Sequence, residues 1–187
     1  MMRTILLLWL FVLLSSEKAK CDNGFALKFK VVHEAILTCA NKGTNDLQVN
    51  FRLSKKDRNH MSMKGNLTFK VPFDNNVAVH VKLQIWGNGG WKSGSGVDFA
   101  REDGCTAFQR VLGPVWIALT KEIKTSPDCP LKPGIYLIEN FDAANWDNLA
   151  IPGAPINKYK LTVNFLKSGT KILLGCYSSI FNVLRKK

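Results

Sequence analysis

The sequence predicts an all-β fold: an antiparallel β-cup or sandwich of about seven to eight strands, with a short broken helix and long apolar rim loops. Three observations carry this reading. Apolar and polar residues alternate with period two in most segments of the chain. Clusters rich in Gly, Asn, Asp and Ser separate those segments: NKGTND, FDNN, GNGG and KSGT. Only one stretch has helical spacing. Alternation with period two puts one face of a strand on a core and the other in solvent, and many short strands joined by tight turns point to a sandwich or cup.

The elements follow in order. Leu27, Phe29 and Val31 share one face of a first strand, and Val49, Phe51 and Leu53 one face of a second. Leu67, Phe69, Val71 and Phe73 form the next set. In VAVHVKLQIW, Val77, Val79, Val81, Leu83 and Ile85 oppose Ala78, His80, Lys82, Gln84 and Trp86, which places His80 on the polar face as a surface histidine. WGNGGW reads as a hairpin turn between aromatic residues. Ile135 and Leu137 alternate with Tyr136 and Ile138, and Leu161, Val163 and Phe165 with Thr162, Asn164 and Leu166. KILLGCYSSIFNV supplies the last strand.

Two segments depart from the pattern. Residues 105–123 carry Phe108, Val111, Leu112, Val115, Trp116, Leu119 and Ile123 at helical spacing, interrupted by Gly113-Pro114. Proline lacks an N–H and clashes with the preceding turn, so a helix broken at that pair and lying across a sheet is expected. The 17 residues FDAANWDNLAIPGAPIN form a loop whose Trp146, Leu149 and Ile151 are too apolar for an ordinary solvated connection. Loops of this kind tend to be lids or binding loops.

Residues 1–20, MMRTILLLWLFVLLSSEKAK, have a basic start at Arg3, an apolar run from Ile5 to Leu14 and a small, polar end. This is the pattern of a secretory signal peptide. Ten apolar residues make only about 15 Å of helix, half of a roughly 30 Å hydrocarbon core, too short for a membrane anchor. The expected product is one secreted, extracellular domain, residues 21–187. Removing the leader takes away three basic residues and one acidic one and lowers the net charge from +12 to +10. The excess is dispersed over KFK, KKDR and LRKK, as on a solvated surface, and it also suits an anionic membrane surface or an acidic partner. An exported chain without a recognition motif points away from nucleic acid.

Cys21, Cys39, Cys105, Cys129 and Cys176 follow the leader, so an even subset can pair in an oxidising compartment. Pairing of Cys105 with Cys129 would staple the intervening segment, and pairing of Cys39 with Cys176 would tie the start of the domain to its end. Each such link is worth roughly 3 to 5 kcal/mol on the loop-entropy model, with the longer loop gaining more. Cys21 is the candidate for the unpaired residue. The spacings match no zinc signature, and His33, His60 and His80 stand apart from the cysteines, so neither a metal nor a cofactor is expected. Asn66 opens the sequon NLT, the candidate glycosylation site on an exposed strand edge.

No G-x-S-x-G or H-E-x-x-H occurs. Asp98, Glu102 and Asp103 cluster in a connection and read as a turn rather than as a catalytic pair, and GWKSGSG lacks the spacing of a phosphate loop. A non-enzymatic protein is expected. What the chain has in surplus is eleven Phe and five Trp. They can fill a core, or they can line a cavity between splayed sheets, and composition does not separate the two.

The order of Cys39, NLTFKVPFDNNVAVHVKLQIW, the GGW turn, the acid-rich approach to Cys105, CPLKPGIYLIENF, LAIPGAPINKYKLTV and the late Gly175-Cys176 resembles the GM2-activator-like and MD-2-related lipid-recognition proteins. It is most similar to their insect branch, the secreted chemosensory proteins of CheA and CheB type. The likeness covers roughly residues 25–183, and its most specific element is C-P-x-x-P-G-x-Y-x-[IL]. The resemblance implies a β-cup that holds a lipid or another long apolar ligand, a pheromone among the options, without catalysis. It also implies the pairs Cys39–Cys176 and Cys105–Cys129. Size, strand face and loop position give the cavity set Phe69, Phe73, Trp86, Trp91, Phe108, Trp116, Phe141 and Trp146. The expected function is transport or presentation of that ligand. A basic interaction module, or a cofactor presenting lipid to a hydrolase or receptor, is the alternative.

Overall fold

The computed structural model describes residues 29–55, 61–93, 98–149 and 156–186. The leader, Cys21, Leu27, His60 and Ile151 lie outside them, as does most of KKDR. Nine strands are seen among the described residues: β1 (Phe29–Leu37), β2 (Leu47–Lys55), β3 (Met61–Phe69), β4 (Val77–Gly87), β5 (Gly90–Lys92), β6 (Phe99–Arg101), β7 (Gly134–Asp142), β8 (Asn157–Lys167) and β9 (Leu173–Arg185). Two of them, β5 and β6, are three residues long and pair with β4. They are too short for alternation to register in the sequence.

The strands form two antiparallel sheets, one ordered β1-β9-β8-β4-β5 with β6 also on β4, the other β2-β3-β7. Neither closes into a barrel. Register sets the inner face of the larger sheet in rows: Val79 beside Phe165, Val81 beside Val163 and Tyr177, and Leu83 beside Leu161 and Ser179. Phe181 lies between Tyr159 and His33.

The expected third strand is shorter at its C-terminal end than the alternation suggests. β3 ends at Phe69, and Phe73, beyond Pro72, makes an isolated bridge to Leu131. The Asn88-Gly89 turn has positive φ at both residues, 49° and 79°, as a tight hairpin requires, and it pairs Trp86 with Trp91.

The helical segment divides where the sequence indicates, into α1 (Gly104–Leu112) and α2 (Pro114–Glu122). Gly113 takes φ +46°, a conformation costly for any other residue, and Pro114 opens the next helix, where its missing N–H costs nothing. α1 packs on β4 of the larger sheet and α2 on β7 of the smaller, so the pair bridges the sheets. The disulfide Cys105–Cys129 fastens α1 to the segment leading into β7.

The sheets meet at one end. A Cβ on Gly175 would sit 1.8 Å from the Leu47 carbonyl oxygen, so only glycine lets β2 approach β9 there. Thr44 and Asp46 donate their N–H groups to the carbonyls of Leu173 and Leu174 at 2.9 and 2.7 Å. The disulfide Cys39–Cys176 lies beside this junction and extends the β1–β9 pairing of the larger sheet beyond Leu37 and Ser178. Elsewhere a 3₁₀ turn (Ala143–Asn148), continuing from β7, docks against β1. Its Asp147 accepts the Val31 N–H at 2.7 Å and pairs with Lys186 at 3.1 Å. A free N–H of edge strand β1 is thereby satisfied by the opposite sheet's own connection.

Candidate functional site

Between the inner faces lies a cavity of about 650 Å³. Its walls are Leu47, Val49, Phe51, Met63, Leu67 and Phe69 from β2 and β3, and Val81, Leu83, Leu161, Val163 and Phe165 from β4 and β8. The helices add Phe108, Leu112, Trp116 and Leu119, β7 adds Ile138 and Phe141, and the 3₁₀ turn adds Trp146. It reaches the surface beside α1, where the wall residues Arg110 and Val111 are exposed, Val111 by 46%.

Of the eight residues proposed from the sequence, Phe69, Phe73, Phe108, Trp116, Phe141 and Trp146 border this cavity. Trp86 and Trp91 do not, which corrects the set. The reason is strand parity: Val81 and Leu83 of β4 face the cavity, so Trp86 projects to the other side, where it is 41% exposed. It packs edge-on against Trp91 across the hairpin, ring centres 5.1 Å apart. The alternation of VAVHVKLQIW places it on that face.

Phe73 is the hub of an aromatic cluster, with Phe69, Phe108, Trp116 and Phe165 at 5.6 to 6.4 Å between ring centres. Trp116 donates its indole N–H to the Pro127 carbonyl at 2.7 Å, so its polar atom is satisfied away from the cavity. Trp146 instead stands edge-on to His33 at 5.4 Å.

Besides the exposed Arg110, four polar residues on this wall were missed by the sequence reading: His33, Thr120, Tyr177 and Ser179. Thr120 is satisfied within its own helix, donating to Trp116 at 2.9 Å. Both nitrogens of His33, the Tyr177 and Ser179 hydroxyls and the Trp146 indole nitrogen are buried without a protein hydrogen-bond partner. Burial lowers the His33 pKa to about 4, so the ring is neutral at ordinary pH. Burial likewise raises the Tyr177 phenol to about 12, and the Ser179 hydroxyl, close enough to act on it though not placed to make a hydrogen bond in this geometry, pulls the other way. The signal for these residues was present: His33 continues the Phe29-Val31 face, and Tyr177, Ser179 and Phe181 alternate along one face of β9.

The other candidates fall outside the cavity. His80 is exposed. Asp98 accepts the Leu83 N–H at 2.8 Å, and Arg101 pairs with Asp103 at 3.4 Å. Glu102 accepts from Ser168 Oγ at 2.6 Å and from the Gly169 N–H at 3.1 Å, and these bonds, Ser168 first, hold its carboxyl below the usual range. The three acids fasten loops. No group of three His, Cys, Asp or Glu residues poised for a metal occurs among the described residues. Asn66 lies on β3, the middle strand of its sheet and not an edge, and its amide donates to Thr68 Oγ1 at 2.7 Å. No described helix is long and apolar enough to cross a membrane. No model of a known protein family matches the sequence, and no curated protein matches it either.

Proposed function

We propose that this chain is a secreted, non-enzymatic carrier that holds a lipid or another long apolar molecule between its sheets and transports or presents it. The cavity carries the reading. At about 650 Å³ it falls within the roughly 300–1,000 Å³ of small-molecule sites, and its wall is almost wholly aliphatic and aromatic. Because the cavity opens beside α1, its apolar wall faces water when empty, and an apolar occupant removes that wall from water at about 25 cal/mol per Å². Each buried methylene contributes about 0.8 kcal/mol, and a dozen offer on the order of 10 kcal/mol before ordering costs. The two disulfides suit an exported protein, and the resemblance to lipid-recognition proteins points the same way.

The test uses the oxidised protein purified without detergent. Native mass spectrometry should find a retained lipid, or the stripped protein should take up a fluorescent fatty acyl probe. Leu161→Trp, which puts an indole into the cavity from β8, should abolish uptake while the fold, followed by circular dichroism, persists. A well-folded wild-type protein that neither retains nor takes up any member of a broad lipid panel would end the proposal.

A further inference from the structure

Buried polar atoms in folded proteins are partnered in roughly nine cases of ten. Among the described residues, every buried side-chain atom that lacks a protein partner belongs to a residue on the wall of this one cavity: His33, Trp146, Tyr177 and Ser179. They come from neighbouring positions. Tyr177 and Ser179 lie two residues apart on the inner face of β9, next to Val163 and Leu161 of β8. His33 sits opposite Phe181, the next inward residue of β9, and its ring lies 5.4 Å from that of Trp146. Each unpartnered buried group carries a desolvation penalty that replacement by an apolar side chain would remove. Ser179 is fully buried, His33 and Tyr177 are 7% and 8% exposed, and the unpartnered atoms themselves show almost no surface even to the cavity, so a ligand oxygen would meet them through a small turn of these side chains.

From this clustering we infer that the cavity is built for an amphiphile with an uncharged oxygen function, a hydroxyl, ester or ketone, seated against His33, Trp146, Tyr177 and Ser179, its hydrocarbon part lying along the apolar wall. This rests on the carrier reading above and names the ligand class. The chemistry of the set fits a neutral group. The Trp146 N–H and the protonated nitrogen of neutral His33 donate, the other His33 nitrogen accepts, and the two hydroxyls do either. An alcohol or carbonyl oxygen can take two such bonds at once. A carboxylate would be buried there without a countercharge, because Arg110, the one charged residue on the wall among the described residues, is exposed on α1.

The experiment compares dodecane, dodecanol, methyl dodecanoate and dodecanoate at pH 8, measured by displacement of a fluorescent naphthylamine probe. Dodecanol and the ester should bind at least ~10-fold more tightly than dodecane and dodecanoate, as expected for one or two hydrogen bonds in an apolar site. The double variant Tyr177→Phe, Ser179→Ala should weaken dodecanol several-fold, towards the level of dodecane, with His33 and Trp146 still in place, and leave dodecane unchanged. Its thermal midpoint should be equal or higher, since two unpaired hydroxyls leave an apolar wall. Equal affinity for dodecane and dodecanol, or a variant that weakens all four ligands alike, overturns the inference and leaves the carrier reading standing. Failure of the probe and of all four ligands to bind overturns both.

Discussion

His33 makes stability depend on pH in a way that one substitution should abolish. The imidazole is buried against Trp146 and Phe181, and the dominant influence on it is loss of hydration, which lowers its pKa from 6.5 to about 4. Asp147, on the 3₁₀ turn that docks against β1, is engaged by the Val31 N–H and Lys186, and Glu34, the next residue on β1, pairs with Lys158 and Asn182. Above pH 6.5 the ring is neutral in both folded and unfolded chains, and acidity has no leverage. Between about pH 6.5 and 4 the unfolded chain binds a proton that the folded one refuses, so stability falls as pH falls. Integrated over that window, the loss comes to about 3 kcal/mol at pH 4. The assay is urea unfolding at intervals from pH 7.5 to 4 for the wild type and His33→Phe, which keeps a ring in the same space. The carboxylates titrate in both, so the difference between the two curves isolates the imidazole. It should be flat above pH 7 and open by about 3 kcal/mol in favour of the variant at pH 4. Parallel curves would show that the ring is hydrated in solution, and the account of the cavity's polar end would fail with it.

Other substitutions probe the framework. Gly175→Ala should destabilise by about 3 kcal/mol or more, read as a drop in thermal midpoint, because its methyl group would meet the Leu47 carbonyl and force β2 away from β9. Replacing Cys105 and Cys129 by Ala opens a link across 24 residues and should cost about 3.5 kcal/mol in denaturant unfolding, whereas opening Cys39–Cys176, across 137, should cost about 5 kcal/mol. Asp147→Ala removes a charge-assisted bond to β1 and should cost about 2 kcal/mol. It should also speed release of bound probe, because Trp146 then loses the anchor of its turn.

What the sequence disclosed follows its physical periodicities. Alternation identified the long strands and their inward residues, such as Val163 and Phe165, because a residue's face in a strand depends on parity alone. Gly113-Pro114 announced the division between α1 and α2 for the same local reason. The short strands β5 and β6 were not legible, since three residues cannot display a period. The cavity residues were partly legible: size and face picked out Phe73 and Phe141, but size without face misplaced Trp86. Tyr177 and Ser179 went unnoticed because a hydroxyl on an inward face looks, in one dimension, like any polar residue that interrupts a strand. Whether the inner faces touch is a matter of how far apart two sheets are held, and that distance is written in no single segment.

The separation has an identifiable cause. Where β2 meets β9, Gly175 contributes no side chain, and backbone hydrogen bonds from the residues leading into β2 draw the sheets together. Along the side, α1 and α2 stand between the sheets as spacers, and the ring cluster around Phe73 wedges them at that level. The 3₁₀ turn then reaches across from β7 to β1 and clamps Trp146 over His33. The sheets are thus pinned together at one place and braced apart at others. Collapse of the space between would have to break a disulfide-bound helix or expel four packed rings. The aromatic surplus therefore plays both roles that composition left open: the rings about Phe73 are packed core on one side and cavity wall on the other. A carrier needs that combination, since a wall that flowed into its own cavity would offer a ligand no area to bury.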